Sequence, residues 1–145
     1  MDVTGSASLQ STSALTVGNA LDISGALTVQ GNSDLTLTGA VSGTGSLTKT
    51  GSGVLSLEGI STLQGTYNID GGTLAARFSS SLGTPATINV GAAGTLRLAS
   101  GGRTGALNGA GNVNLVSGTL RVNEGNFSGA MSGSGSLQKD LSLIH

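Results

Sequence analysis

Three consecutive hexads, Ala14-Leu15-Thr16-Val17-Gly18-Asn19, Ala20-Leu21-Asp22-Ile23-Ser24-Gly25 and Ala26-Leu27-Thr28-Val29-Gln30-Gly31, share one pattern. In each, two aliphatic side chains stand two positions apart with a polar residue between them. A strand sends alternate side chains to opposite faces, so both aliphatics point the same way. The Gly or Asn that closes each hexad accepts the backbone conformation of a sharp corner. The unit is therefore a very short, one-sided strand followed by a bend.

Working outward, the unit recurs with variable spacing at Leu35-Thr36-Leu37, Val54-Leu55-Ser56-Leu57, Tyr67-Asn68-Ile69, Ile88-Asn89-Val90, Leu96-Arg97-Leu98, Val113-Asn114-Leu115 and Leu120-Arg121-Val122. Helices are disfavoured by the two-residue spacing and by frequent Gly, each costing a helix interior about 1 kcal/mol. The Gly-free stretch from Leu74 to Leu82 is the exception, expected to form a turn of helix or a loop. Strands this short bury too little surface to be stable alone and must be stacked. A solenoid does this by laying each strand in parallel on the one a turn earlier.

A longer repeat agrees. Gly39-Ala40-Val41-Ser42-Gly43-Thr44-Gly45-Ser46-Leu47-Thr48-Lys49 returns 90 residues later as Gly129-Ala130-Met131-Ser132-Gly133-Ser134-Gly135-Ser136-Leu137-Gln138-Lys139. At roughly 20 residues per turn, the chain makes about six or seven turns.

The composition takes on meaning in this light. Of 145 residues, 26 are Gly, 21 Ser and 17 Thr, an excess that without a period signals disorder. With the period, these residues become corners and outward ladders. Equivalent positions on successive turns lie about 5 Å apart, where like charges repel and Ser, Thr and Asn hydrogen-bond to their own kind. Neutral polar faces are expected, and the net charge is only −1.

Several classes are excluded. Six basic residues, two Phe, one Tyr and no Trp supply neither a cationic footprint for phosphates nor stacking platforms for bases, so no nucleic-acid partner is expected. No run approaches the roughly 20 apolar residues of a transmembrane segment. The absence of Cys removes disulfides and thiolate sites and is compatible with export. The opening Met1-Asp2-Val3-Thr4-Gly5 lacks an export leader's basic and apolar regions, so the chain is expected to be an internal piece of a longer protein.

The stretch Gly43-Thr44-Gly45-Ser46-Leu47-Thr48-Lys49-Thr50-Gly51-Ser52-Gly53-Val54-Leu55-Ser56-Leu57-Glu58-Gly59, continuing through Gly65-Thr66-Tyr67-Asn68-Ile69-Asp70-Gly71-Gly72-Thr73-Leu74, resembles the autotransporter-associated β-strand repeat, or passenger-associated transport repeat. Ile60-Ser61-Thr62-Leu63-Gln64 stands where that family usually carries an Asn-rich turn. The resemblance covers about residues 35–139. It implies a right-handed parallel β-helix in the passenger of a type V secreted protein of Gram-negative bacteria. Such a passenger crosses the outer membrane through the parent's C-terminal β-barrel and forms a stalk at the cell surface. Residues 1–34 read as generic β-helix rungs, residues 35–139 as the repeat, a spacer and the start of a second repeat, and residues 140–145 as a non-native-looking tail that abandons the pattern.

No catalytic, cofactor-binding or metal-binding residue is assigned. The sole imidazole, His145, sits in the tail. The carboxylates Asp22, Asp34, Asp70, Glu58 and Glu124 are scattered, so a general acid/base pair is not visible. Gly43-Thr44-Gly45 and Gly51-Ser52-Gly53 do not continue into a phosphate-loop motif and read as corners. Asp70-Gly71-Gly72 reads as a turn, and Asn126-Phe127-Ser128 as a glycosylation tripeptide without meaning in a bacterial chain. Lys49 and Lys139 occupy equivalent places in the repeated element and are expected at corners, solvated or capping carbonyls. Arg97 and Arg121 alternate with aliphatics and should project outward.

The expectation is an all-β, non-enzymatic stalk segment that aids transport and folding. The alternatives are an adhesin or haemagglutinin-like module with a host or cell-surface receptor, and a β-helix glycan-active enzyme fragment. The alternative fold is a left-handed hexapeptide β-helix, which requires the hexads to persist beyond Gly31.

Overall fold

The computed structural model describes residues 1–83 and 87–140. Among the described residues the regular elements are all strands, and every strand pairing is parallel. The chain winds into a β-solenoid of about 7 turns. The three hexads are three sides of a single turn. Leu15–Val17, Leu21–Ile23 and Ala26–Gln30 each enter a different sheet. Extra corner residues lengthen the turn to 20, so that Leu21 lies against Val41, Leu27 against Leu47 and Leu35 against Leu55.

Two sheets run along the coil. The eight-stranded sheet contains Ser6–Gln10, Ala26–Gln30, Ser46–Lys49, Thr66–Ile69, Thr87–Val90, Gly102–Gly109, Thr119–Glu124 and Ser136–Lys139. The seven-stranded sheet contains Leu15–Val17, Leu35–Leu37, Val54–Leu57, Gly72–Ala76, Gly94–Leu98, Asn112–Leu115 and Ala130–Ser132. A three-stranded sheet of Asp2–Val3, Leu21–Ile23 and Val41–Ser42 closes the early turns, and a single bridge from Val41 to Ser61 extends it.

Alternation within each strand makes the core. The inward columns Leu27, Leu47, Tyr67, Ile88, Leu107 and Leu35, Leu55, Leu74, Leu96, Val113 are buried along their whole length. Each fully buried aliphatic contributes about 1.5–3 kcal/mol. In the first and last turns the columns end in exposed Leu15, Met131 and Leu137, which have a neighbouring turn on one side only.

The corners depend on close backbone approach as much as on dihedral freedom. Gly43 has φ +112°, and a Cβ there would collide with the carbonyl of Ile23 one turn below. Gly51, with φ +75°, likewise sits against the carbonyl of Gly31. Both glycine pairs singled out in the sequence are therefore corners.

Three readings change. Leu74–Ala76 ends a strand rather than beginning a helix, because it pairs on both sides with aliphatic strands; the turn comes afterwards, where the Ser81 amide donates to the Phe78 carbonyl at 2.9 Å. Gly102–Gly109, whose glycines disguise it, is the longest strand. Its second half pairs with Thr87–Val90 and its first half with Thr119–Glu124, so the eight-stranded sheet folds round a corner. Finally, the repeated element is out of phase with the coil. Val41–Ser42 belongs to the three-stranded sheet, whereas its counterpart Met131-Ser132 belongs to the seven-stranded one. Ninety residues do not make a whole number of turns, and although Ser46–Lys49 and Ser136–Lys139 share the eight-stranded sheet, they lie on either side of the corner made by Gly102–Gly109.

Candidate functional site

The outward face of the eight-stranded sheet carries the expected neutral ladder. Thr28, Thr48, Asn68, Asn89 and Asn108 are in register. Asn68 Nδ2 donates to Thr48 Oγ1 at 3.4 Å, Asn89 Nδ2 to Asn68 Oδ1 at 2.8 Å and Asn108 Nδ2 to Asn89 Oδ1 at 3.1 Å. The ladder ends where the Asn126 backbone amide donates to Asn108 Oδ1 at 2.9 Å. Within the Asn126-Phe127-Ser128 tripeptide, Phe127 packs on the core and bridges to Gly109. Neutrality is not universal, however. Arg103 stacks directly on Arg121, and the repulsion is relieved where Arg103 donates to the Asp140 carboxylate at 2.9 Å.

The structure keeps most of the scattered carboxylates apart in local roles. Asp22 accepts from Ser42 Oγ at 3.1 Å, Asp34 from the Val54 amide at 2.9 Å and Glu58 from Arg77 at 3.3 Å. Asp70 lies in the bend between Thr66–Ile69 and Gly72–Ala76, and Glu124 ends the strand Thr119–Glu124. Among the described residues no three of His, Cys, Asp and Glu converge as metal ligands would. His145 lies outside the described residues.

The two largest fully buried side chains among the described residues both carry a polar group. Lys49 occupies an inward position between Val29 and Ile69 and is almost wholly buried. Its aliphatic stem fills the column while Nζ turns to the corner, donating to the Thr50 carbonyl at 2.6 Å and the Gly51 carbonyl at 3.1 Å. Burial pulls its ammonium below the usual lysine range, and the nearby Asp34 carboxylate opposes this. The capping role expected of Lys49 holds, but its equivalence to Lys139 does not. Lys139 lies exposed beside Val122 on the last strand, which has a neighbouring turn on one side only.

Tyr67 is the second. It stands between Leu47 and Ile88 with no exposed surface, and its hydroxyl lies 3.1 Å from Ser61 Oγ. Ser61 follows Val41 in its ladder, so a small polar residue replaces an aliphatic one where the ring needs space and a partner. The Leu63 amide also donates to Ser61 Oγ, at 3.3 Å. Burial pushes the phenol up to about 12, the Ser61 hydrogen bond offsetting part of the rise. The sequence signal that could have located this pair is Ser61 standing 20 positions after Val41, in a turn of 20.

One hollow breaks the outward face of the seven-stranded sheet. Ser56, Ala75, Arg97 and Asn114 form one outward column, and Ala75 is too small to fill the space beneath Arg97. Glu58, Arg77 and Ala99 flank it at the strand ends, leaving a solvent-open cavity of about 250 Å³. Arg77 lies 5.5 Å from the centroid of the exposed Phe78 ring. Arg97 projects outward, as its alternation with aliphatics requires, and so does Arg121.

Comparison of the chain with protein-family models, with curated proteins and with solved structures returned no match.

Proposed function

We propose that this chain is a structural, non-enzymatic segment of the passenger of a type V secreted protein of Gram-negative bacteria. It serves as a β-helical stalk at the cell surface and aids outer-membrane transport and folding. The observation that carries the reading is the all-parallel coil, in which a strand's ladder partners come from the turns just before and just after it. Such a chain needs no distant segment to begin folding. Each turn that emerges finds an edge already formed and adds to it. Each added turn buries further aliphatics, worth about 1.5–3 kcal/mol apiece, which biases the chain against sliding back. The resemblance of residues 43–74 to the passenger-associated repeat supports the same role, with the parent's C-terminal β-barrel as partner.

The test is deletion of residues 43–74 from a full-length parent carrying a surface epitope, scored by labelling of intact cells. Loss of display with normal synthesis is expected. Undiminished display would overturn the transport role.

A further inference from the structure

We propose that the hollow beside Arg97 binds a carboxylate-bearing sugar unit, such as a uronic or sialic acid. The chain has six basic residues, and two of them, Arg77 and Arg97, border one cavity of about 250 Å³. Elsewhere the outward columns of this sheet are neutral, with Thr16, Thr36, Ser56, Asn114 and Ser132 in register.

Neither guanidinium is saturated. Arg97 has no hydrogen bond or ion pair among the described residues, and Arg77 makes a single 3.3 Å contact to Glu58. A guanidinium presents five N–H donors in a planar fork matched to two carboxylate oxygens. Glu58 narrows the choice of anion. Its carboxylate on the rim repels a dianionic phosphate, yet accepts hydrogen bonds from hydroxyl groups. Ser56 adds a further hydroxyl, and the methyl groups of Ala75 and Ala99 offer an apolar patch to sugar C–H groups. One negative charge, several hydroxyls and an apolar edge together describe an acidic monosaccharide. Ala75 and Ala99 make the space, since a longer side chain at either position would fill it.

The test uses the whole chain, isotopically labelled, titrated with glucuronic acid and N-acetylneuraminic acid, with glucose and inorganic phosphate as comparators. Binding on the order of 1 mM is expected for a single sugar unit on an open site. Shifts should be confined to Ser56, Ala75, Ala99 and the side chains of Arg77 and Arg97. Glucose should leave the spectrum unchanged. Arg97→Gln should weaken sugar-acid binding about tenfold, the loss of one charge-assisted contact, while Arg121→Gln on another side leaves it intact. Glu58→Gln should improve phosphate binding relative to glucuronate. Absence of localised shifts with either sugar acid would overturn the site. Equal binding of phosphate and glucuronate, indifferent to Glu58→Gln, would overturn the sugar assignment in favour of a simple anion.

Discussion

Alkaline titration offers a sharp probe of the solenoid interior, because the chain has one tyrosine and no tryptophan. Phenolate absorbance therefore reports Tyr67 and nothing else. The phenol ordinarily ionises near 10.0, and burial raises it to about 12. The unfolded chain thus releases this proton before the folded chain does. The stability tied to the neutral phenol is complete below pH 10 and is lost as pH rises through 12. A difference of this size corresponds to about 3 kcal/mol. Lys49 acts in the opposite sense: its folded pKa lies below the ordinary value of 10.5, so the fold gains stability as that group loses its proton.

The comparison that isolates Tyr67 is wild type against Tyr67→Phe, in which Lys49 is common to both. In native buffer the phenolate signal should stay absent through pH 10 and appear near pH 12, alone or together with loss of the β circular-dichroism signal. In concentrated urea it should appear near pH 10. Urea midpoints of the wild type should fall between pH 10 and 12 by an amount that Tyr67→Phe abolishes. A native titration centred near pH 10, with the β signal intact, would mean that water reaches the ring and would refute the account of the core.

Leu55→Ala, in the middle of an inward column, should cost about 2–5 kcal/mol in urea unfolding, since the turns above and below cannot both collapse into the void. Gly43→Ala should destabilise by at least about 1–3 kcal/mol, through a positive φ and a collision with the Ile23 carbonyl. Gly102→Ala, where a Cβ meets nothing within 4 Å, should stay within about 0.5 kcal/mol of wild type in the same assay. Asn89→Asp removes the donor to Asn68 and sets a carboxylate against its Oδ1, so it should cost about 1–2 kcal/mol and speed amide exchange in Thr66–Ile69 and Thr87–Val90.

The strands legible in the sequence are those whose inward positions are aliphatic on both sides of one polar residue, such as Leu35–Leu37 and Val54–Leu57. Those missed depart from that rule for physical reasons. Ser46–Lys49 carries a lysine where the pattern calls for an aliphatic, and only the register with Val29 and Ile69 reveals that its stem is core. Gly102–Gly109 has too few side chains to show alternation, and its length follows from pairing with two different neighbours. The hollow beside Arg97 was equally invisible. It depends on which residue lies a turn below, and Ala75 stands 22 positions earlier where the other steps of that column run from 17 to 20.

That variability also explains how the coil accommodates polar intrusions. Each turn touches chiefly its two neighbours, so a misfit need be resolved only locally. Tyr67 is balanced by Ser61 six residues before it, and the Lys49 ammonium by carbonyls of the next two residues. Among the described residues the fold leaves no buried side-chain polar atom without a partner. Interior positions are thus held to strict satisfaction turn by turn. Outward positions are held only to avoiding like charge in register, and Arg103 on Arg121 shows that even this yields when a carboxylate is at hand. Among the described residues, outward arginines without a protein partner remain at Arg97 and Arg121. Of these two, Arg97 is the one that borders a cavity shared with a second guanidinium, Arg77, and it is on this geometry rather than on the missing partner that the proposed sugar-acid site rests.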